Sequence, residues 1–293
     1  MSEADRAGQC RPETRIEATG RGETAARLLH RVLRDMPRTA AIGWSLALRQ
    51  TQGEMRGNQL GLLWLVLSPL LYVGAYLALR AGLGETVPGA AALPGGVFAI
   101  VGIVIFQSWF DALIGQFTVF QRNAPLLRSI GMEPEILFFS GLATALFATL
   151  ARLAIALGAA LAAGAVSGPL AVLGFFAAAL AALVSGGALG FAIAPLGVLV
   201  EDLRRAVQSL ALLLMVGSGA FFAPAMLEGT VFRDLLALVP PASFVEVGRS
   251  LLLDRPAELW PALLAWSAAS VGIGLGAAVF LRLSIRILAE RFQ

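Results

Sequence analysis

The sequence predicts an all-α integral membrane protein with six transmembrane helices, an N-terminal amphipathic interface helix, and a re-entrant outer segment between spans five and six. Three observations carry this reading. Of 293 residues, 58% are hydrophobic and only 14% are charged, against roughly 25% charged in an average soluble domain. Uncharged runs near the roughly 20 residues needed to cross hydrocarbon recur along the chain. The basic residues are placed unevenly, with ten of the 22 before position 60.

In chain order, residues 1–23 are polar and read as a flexible cytosolic tail. Residues 24–59 form the interface region. Within TAARLLHRVLRDM the apolar Ala25, Leu28, Leu29, Val32, Leu33 and Met36 follow helical spacing. Arg27, Arg31, Arg34 and Asp35 fill the other face, and Pro37 is expected to end or kink the helix. Such a helix lies among lipid headgroups or packs on a partner. The transmembrane domain is expected over 60–282, with spans at 60–79, about 95–120, about 136–165, 169–200, about 206–227 and about 258–281. A cytosolic tail, 283–293, follows. The fourth run holds 32 uncharged residues, roughly 48 Å of helix. It reads as one long helix, loosened at Gly186, Gly187, Gly190 and Pro195.

Segment 228–257 is too charged to span and too apolar for an ordinary loop. Two short helices joined at Pro240 and Pro241, dipping back against the bundle, would satisfy their backbone and bury Leu235, Leu236, Leu251 and Leu252. Threading six spans with the N-terminus inside puts 17 Arg on the cytosolic side, so both termini are expected there.

Composition also excludes chemistry. All 22 basic residues are Arg, and without Lys no Walker A phosphate loop can be built. One Cys, Cys10, and one His, His30, leave no disulfide framework and no ordinary metal site. No catalytic or metal-binding residues are therefore expected. Asp111 and Arg152 are the ionisable residues well inside predicted spans, facing the bundle interior or a wet cavity. Counted from the cytosolic helix ends they lie roughly 14 Å and 24 Å deep. A direct pair thus requires shifted boundaries, and Arg152 can instead snorkel outward.

The stretch RGNQLGLLWLVLSPLL, with Arg56, Leu60, Gly61, Trp64, Pro69 and Leu70, resembles the entry to the first span in membrane subunits of bacterial ATP-binding-cassette exporters of polysaccharide and polyol-phosphate polymers. The resemblance continues through Trp109 and Phe110, Asn123 with Leu126 and Leu127, Glu135 to Leu137, Asp202, Pro224, Pro240 and Arg249. It implies a permease subunit of a cell inner (plasma) membrane, working as a homodimer on a lipid-linked polysaccharide such as O-antigen, capsule or teichoic acid. ATP and Mg would be held by a separate nucleotide-binding subunit, with no cofactor on this chain and no nucleic acid partner.

By the same resemblance QRNAPLLRSIGMEPE, residues 121–135, is the helix docking on that ATPase. Leu126, Leu127 and Ile130 would fill a groove and Arg122, Arg128, Glu133 and Glu135 would rim it, with Asn123 among the docking residues. Glu201 and Asp202 offer a second contact. The alternatives are an amphipathic loop and a solvated turn. Trp64, Ser68, Tyr72 and Tyr76 share one face of the first span, and Phe106, Trp109, Phe110 and Phe117 form a stripe on the second. These suit a sliding sugar chain, or else are packing and interfacial-belt residues. Pro240, Pro241 and Arg249 mark the outer gate. Competing classes are an intramembrane enzyme of envelope glycolipid assembly and a secondary transporter. A Ser/His dyad fails because His30 lies outside the spans, and no internal repeat supports a secondary transporter.

Overall fold

The computed structural model of the chain describes residues 25–57, 67, 70–71, 74–75, 78, 95–130, 132–200, 202–221, 236, 238–252 and 257–291. Among these every regular element is a helix. They are α1 (Ala25–Gly57), α2 (Gly95–Ile130), α3 (Pro134–Ala162), α4 (Pro169–Leu199), α5 (Asp202–Ser209), α6 (Ala211–Gly217), α7 (Pro240–Leu252) and α8 (Trp260–Arg291). Four stretches are long and apolar enough to cross a bilayer: Gly96–Asn123, Pro134–Ala162, Pro169–Leu199 and Trp260–Ser284. The expected first span, 60–79, lies outside the described residues apart from Leu67, Leu70, Leu71, Gly74, Ala75 and Ala78, all helical.

α2 is the axis of the bundle. Of its most apolar stretch 83% is buried, against 17% for α8, which lies at the periphery. α3 runs antiparallel to α2, because Gln116 sits opposite Phe138 and Gly141 while Asp111 meets Arg152 further along. α4 runs parallel to α2: Gly186, Gly190 and Gly197 meet Trp109, Leu113 and Phe117 in ascending order. This corrects the expectation that the glycines loosen α4, since the helix is one unbroken element from Pro169 to Leu199. A Cβ on Gly186 or Gly190 would overlap the carbonyl oxygen of Trp109 or Leu113. The glycines let two backbones touch, as small residues do where helices pack in lipid.

α1 is longer than the spacing predicted, running through Pro37 to Gly57. Pro37 cannot donate to the carbonyl of Leu33, but both residues lie on the exposed face, where that carbonyl is not sealed in protein. The opposite face buries Leu28, Val32, Thr39, Gly43 and Ala47, largely against α3. Trp44 meets Phe147 of α3 edge-on at 5.0 Å between ring centroids.

The described part of the expected fifth span, 206–221, holds the end of α5 and the whole of α6. Hydrogen bonds from Leu210 N to Ala206 O and from Leu214 N to Leu210 O carry the chain across their junction. α5 begins beside the Gln121 level of α2, and Ala220 sits against Gly102. From 202 to 220 the chain thus rises roughly 27 Å antiparallel to α2. Gly219, at φ 69°, turns the chain beyond α6 in the left-handed region that suits glycine.

Pro240 and Pro241 open α7, where a missing N–H costs nothing. The helix is buried on nearly every side, from Pro241 through Arg249. Its Gly248 rests on Ile105 and Ala178, and Leu251 packs on Gly174, so α7 runs antiparallel to α4.

The glycine seam makes a prediction. Gly190→Ala should lower the unfolding free energy by about 1–3 kcal/mol, the cost of overpacking. Gly158→Ala, with nothing within 4 Å of the new methyl group, should be neutral or slightly stabilising. Thermal unfolding of the detergent-purified variants reads the difference, and equal midpoints would remove the seam's special role.

Candidate functional site

Polar side chains gather at both ends of the bundle and at one place inside it. The first end is that of the expected docking residues. Gln116 lies opposite Phe138 and Gly141, and α2 runs 14 residues beyond it to Ile130, about 21 Å. α3 begins only about 10 Å below Gly141, so α2 projects past it by about 10 Å. The segment expected to dock is therefore not a separate helix: residues 121–130 complete α2, and Glu133 takes the N-cap position of α3 without a side-chain cap.

Arg122 is exposed at the start of this projection. The side chains of Leu126, Leu127 and Arg128 lie outside the described ones, as does Glu201. Asn123 and Glu135 are corrected: both are buried, with Asn123 Nδ2 donating to the Val119 carbonyl at 2.8 Å. Neither can contribute to an exposed rim. Asp202 is exposed and pairs with Arg205 at 3.2 Å. The two segments read separately in the sequence are neighbours here, because Gln121 on α2 and Arg204 and Arg205 on α5 line one cavity of about 240 Å³, closed by Gly197 and Val198. Gln121 Nε2 donates to the Gly197 carbonyl at 3.0 Å, tying α2 to the end of α4.

The aromatic stripe of α2 is core. Phe106, Trp109 and Phe117 are buried, and Phe110 is partly covered and stacked on Phe106 at 5.7 Å. Phe106 and Trp109 face helix neighbours rather than a passage, because the stripe sits on the most buried helix. Trp64, Ser68, Tyr72 and Tyr76 lie outside the described residues.

Asp111 and Arg152 form an ion pair. From the Gln116 register Asp111 lies about 7.5 Å along α2, while Arg152 lies about 16.5 Å beyond Gly141 on α3. The roughly 10 Å offset read from the sequence is therefore real. The pair closes because the long Arg side chain leans back toward the N-terminus of its helix, as helical side chains do. Shifted boundaries are not needed.

At the far end Arg249, an expected gate residue, is buried. Its Nη2 donates to the carbonyls of Gly219 and Ala220 at 3.2 and 2.9 Å, and its guanidinium carbon lies 3.6 Å from the centre of the Phe98 ring. These carbonyls belong to the turn that follows α6, so one cation holds that turn and stacks on the start of α2. Gly102 leaves room for it: a Cβ there would collide with Nη2. One turn earlier Glu246 accepts from the Glu258 N–H at 3.1 Å, the Leu259 N–H at 3.4 Å and the Ser250 hydroxyl at 3.3 Å. This clasps α7 to the entry of α8. Burial pushes the Glu246 carboxyl above the usual carboxylate range, these hydrogen bonds pull it back, and the nearby Glu258 adds a small upward push.

At the opposite end Arg282 of α8 donates through Nε to Glu135 Oε1 at 2.7 Å and through Nη1 to Asp35 Oδ2 at 3.2 Å. Three elements remote in sequence meet there. Sequence spacing offered no signal for this junction, nor for the buried Gln116, nor for the Ser185 and Ser270 hydroxyls 2.8 Å apart between α4 and α8. Among the described residues no cluster of three or more His, Cys, Asp or Glu is placed to hold a metal ion. No protein-family model matches the chain, and no curated protein matches it significantly.

The ion pair and the clasp can each be tested. Asp111→Arg or Arg152→Asp alone should cost roughly 2–3 kcal/mol, less than a fully buried pair because Asp111 is 36% exposed. The double swap should recover most of it, and a thermal-unfolding double-mutant cycle without coupling would reject the pair. For Glu246 the folded carboxyl holds its proton more tightly than the unfolded one. Its contribution is therefore full below the ordinary Glu range and is lost as pH rises through the elevated folded value. Stability in detergent should fall as pH rises above the ordinary Glu range, and Glu246→Gln should flatten that slope; unchanged slopes would refute it.

Proposed function

We propose that the chain is the transmembrane subunit of an ATP-driven exporter moving a lipid-linked polysaccharide across the inner membrane of a bacterial cell. It works as a homodimer with a separate ATPase subunit that holds ATP and Mg. The observation that carries this reading is the projecting end of α2 with α5 beside it. It is a rigid helical end that reaches about 10 Å past the start of α3, bears Arg122 and has Asp202, Arg204 and Arg205 alongside. A stiff lever continuous with the central helix suits the transfer of motion from a cytosolic motor into the bundle, because a push on residues 121–130 is felt along the α2–α4 seam. The lack of any Lys supports a phosphate-binding loop carried by another chain.

The proposed orientation puts this end and both termini in the cytosol, following the Arg bias. α7 then has Pro240 as its inner end and opens toward the outer side at Leu252. Its burial against α2 and α4 supports the re-entrant reading, because a short helix inside a bilayer needs protein around it. Pro240, Pro241 and Arg249 remain the proposed outer gate, with Arg249 acting as its anchor.

Two experiments test this. The purified chain should hydrolyse no ATP unless its partner ATPase is added, and Leu126→Asp with Leu127→Asp should abolish co-purification while the membrane subunit stays folded. Turnover by the single chain, or an unchanged complex, would sink the reading. In a Cys10→Ser background, Glu258→Cys should react with an impermeant reagent from outside intact cells and Arg205→Cys only after permeabilisation. The reverse pattern would invert the orientation.

A further inference from the structure

α1 has three sides, and the bundle uses one of them. Leu28, Val32, Thr39, Gly43 and Ala47 are buried, largely against α3. The apolar face that spacing offered to lipid or to a partner is thus mostly spent inside the protein. Two exposed flanks remain. On one, Leu33, Trp44 and Leu48 lie within a sector of about 60° and are 47%, 43% and 38% exposed. On the other, the exposed Arg27, Arg31, Arg34 and Arg38 follow at helical intervals, and the row resumes at Arg49 beyond Ile42 and Ser45. From Arg27 to Arg49 the row is about 33 Å long. Asp35 is the one acid among the described side chains of α1, and it turns to Arg282.

The two flanks look in opposite directions along the bundle. From Asp35 to Gly43 α1 advances about 12 Å. Yet Asp35 is joined through Arg282 to Glu135, while Gly43 rests on Ile136, Phe139 and Ser140, so α1 crosses the foot of α3 rather than following it. Beside Gly43, Trp44 reaches Phe147, about 10 Å past Ser140 along α3. The flank of Leu33, Trp44 and Leu48 therefore looks toward the apolar middle of the bundle. Asp35, set between the buried face and the Arg row, reaches the other way, to the end of α8. The Arg row looks toward that end.

An amphipathic helix placed this way lies in the plane of a bilayer boundary, with one flank against acyl chains. Such a helix is about 10–12 Å thick, and the headgroup layer is about 5–8 Å deep on each side. With Leu33, Trp44 and Leu48 at the acyl boundary, the Arg row falls among headgroups, short of where a soluble protein would meet it. Zwitterionic headgroups bring a cation of their own. A row of Arg with one acid beside it, already engaged, is better matched by lipids of net negative charge.

We propose that α1 is a binding surface for anionic phospholipid, with the Arg row on lipid phosphates and Leu33, Trp44 and Leu48 in the acyl boundary. The proposal is independent of the exporter reading and requires only that the apolar bundle sits in a membrane. Because Asp35 ties α1 to Arg282 and Glu135, lipid held on α1 is held against the start of α3 and the end of α8.

The test uses the full chain with Cys10→Ser, reconstituted into vesicles of equal phosphatidylglycerol and phosphatidylcholine. A donor dye on Ser45→Cys, within the Arg row, reads energy transfer to trace acyl-labelled phosphatidylglycerol or phosphatidylcholine. Phosphatidylglycerol should be enriched about fivefold there, the scale of one Arg–headgroup contact, and the enrichment should fall as salt is raised. Arg27→Gln, Arg34→Gln and Arg38→Gln together should bring the two lipids to parity. These positions are exposed, so the variant should keep its thermal midpoint. Arg204→Gln with Arg205→Gln should leave the preference in place. As a second measurement, a nitroxide on Leu48→Cys should be relaxed more by oxygen, and one on Ser45→Cys more by a water-soluble nickel chelate. Equal transfer from both lipids, a preference that survives the triple substitution in the folded protein, or the same relaxation ranking at both positions would overturn the proposal. So would a triple variant that loses a protein partner while its lipid preference is intact, which would make the row a protein-docking surface.

Discussion

The close approach of α2 and α4 is the contact on which the rest of the bundle depends. Two apolar helices gain little from leaving lipid for each other, so their association rests on packing that lipid tails cannot match. Gly186 and Gly190 supply it by bringing the α4 backbone against the carbonyls of Trp109 and Leu113. The seam holds α2 in the middle, where α3 and α7 can also close on it. The aromatic side chains of α2 then become filler: Phe117 beside Gly197, and Phe120 edge-on to Phe191 at 5.6 Å.

Polar contacts set the ends and the register that apolar packing leaves loose. Arg249 gathers the turn after α6 and the start of α2, while Glu246 holds the entry of α8. Glu135 and Arg282, 147 residues apart in sequence, do the same at the other end and bring in Asp35. Between them Asp111 and Arg152 fix the sliding position of α2 against α3. Each of these groups would be expensive in hydrocarbon alone, so each favours one arrangement of helices over its neighbours.

For the proposed docking role, the continuity of α2 from Gly95 to Ile130 changes how a signal would travel. A docking helix joined by a flexible loop would have to move the bundle through a hinge. As the last turns of the central helix, it is mechanically part of the core. α5, set beside it at the cavity lined by Gln121, Arg204 and Arg205, makes the charged end broader than either segment would be alone.

Composition and periodicity by themselves determined the helical class, the apolar runs at about 95–120, about 136–165, 169–200 and about 258–281, and the helical start of α1, because helix length and amphipathic spacing are local properties of a chain. They also marked Asp111 and Arg152 as the charges inside those stretches, and ruled out a phosphate loop by the absence of Lys. What a residue touches depends on its neighbour across a helix interface, and only the tertiary structure decided that. It turned Phe106 and Trp109 into core and took Asn123 and Glu135 out of any exposed rim. It made the glycines of α4 a seam where the sequence suggested loosening. It let α1 pass Pro37, since the unmade hydrogen bond falls on an exposed face, and it divided the described part of the fifth run between the end of α5 and α6. The meeting of Asp35, Glu135 and Arg282 could not be read from spacing at all, because it joins three helices whose only relation is that the fold brings them to the same place.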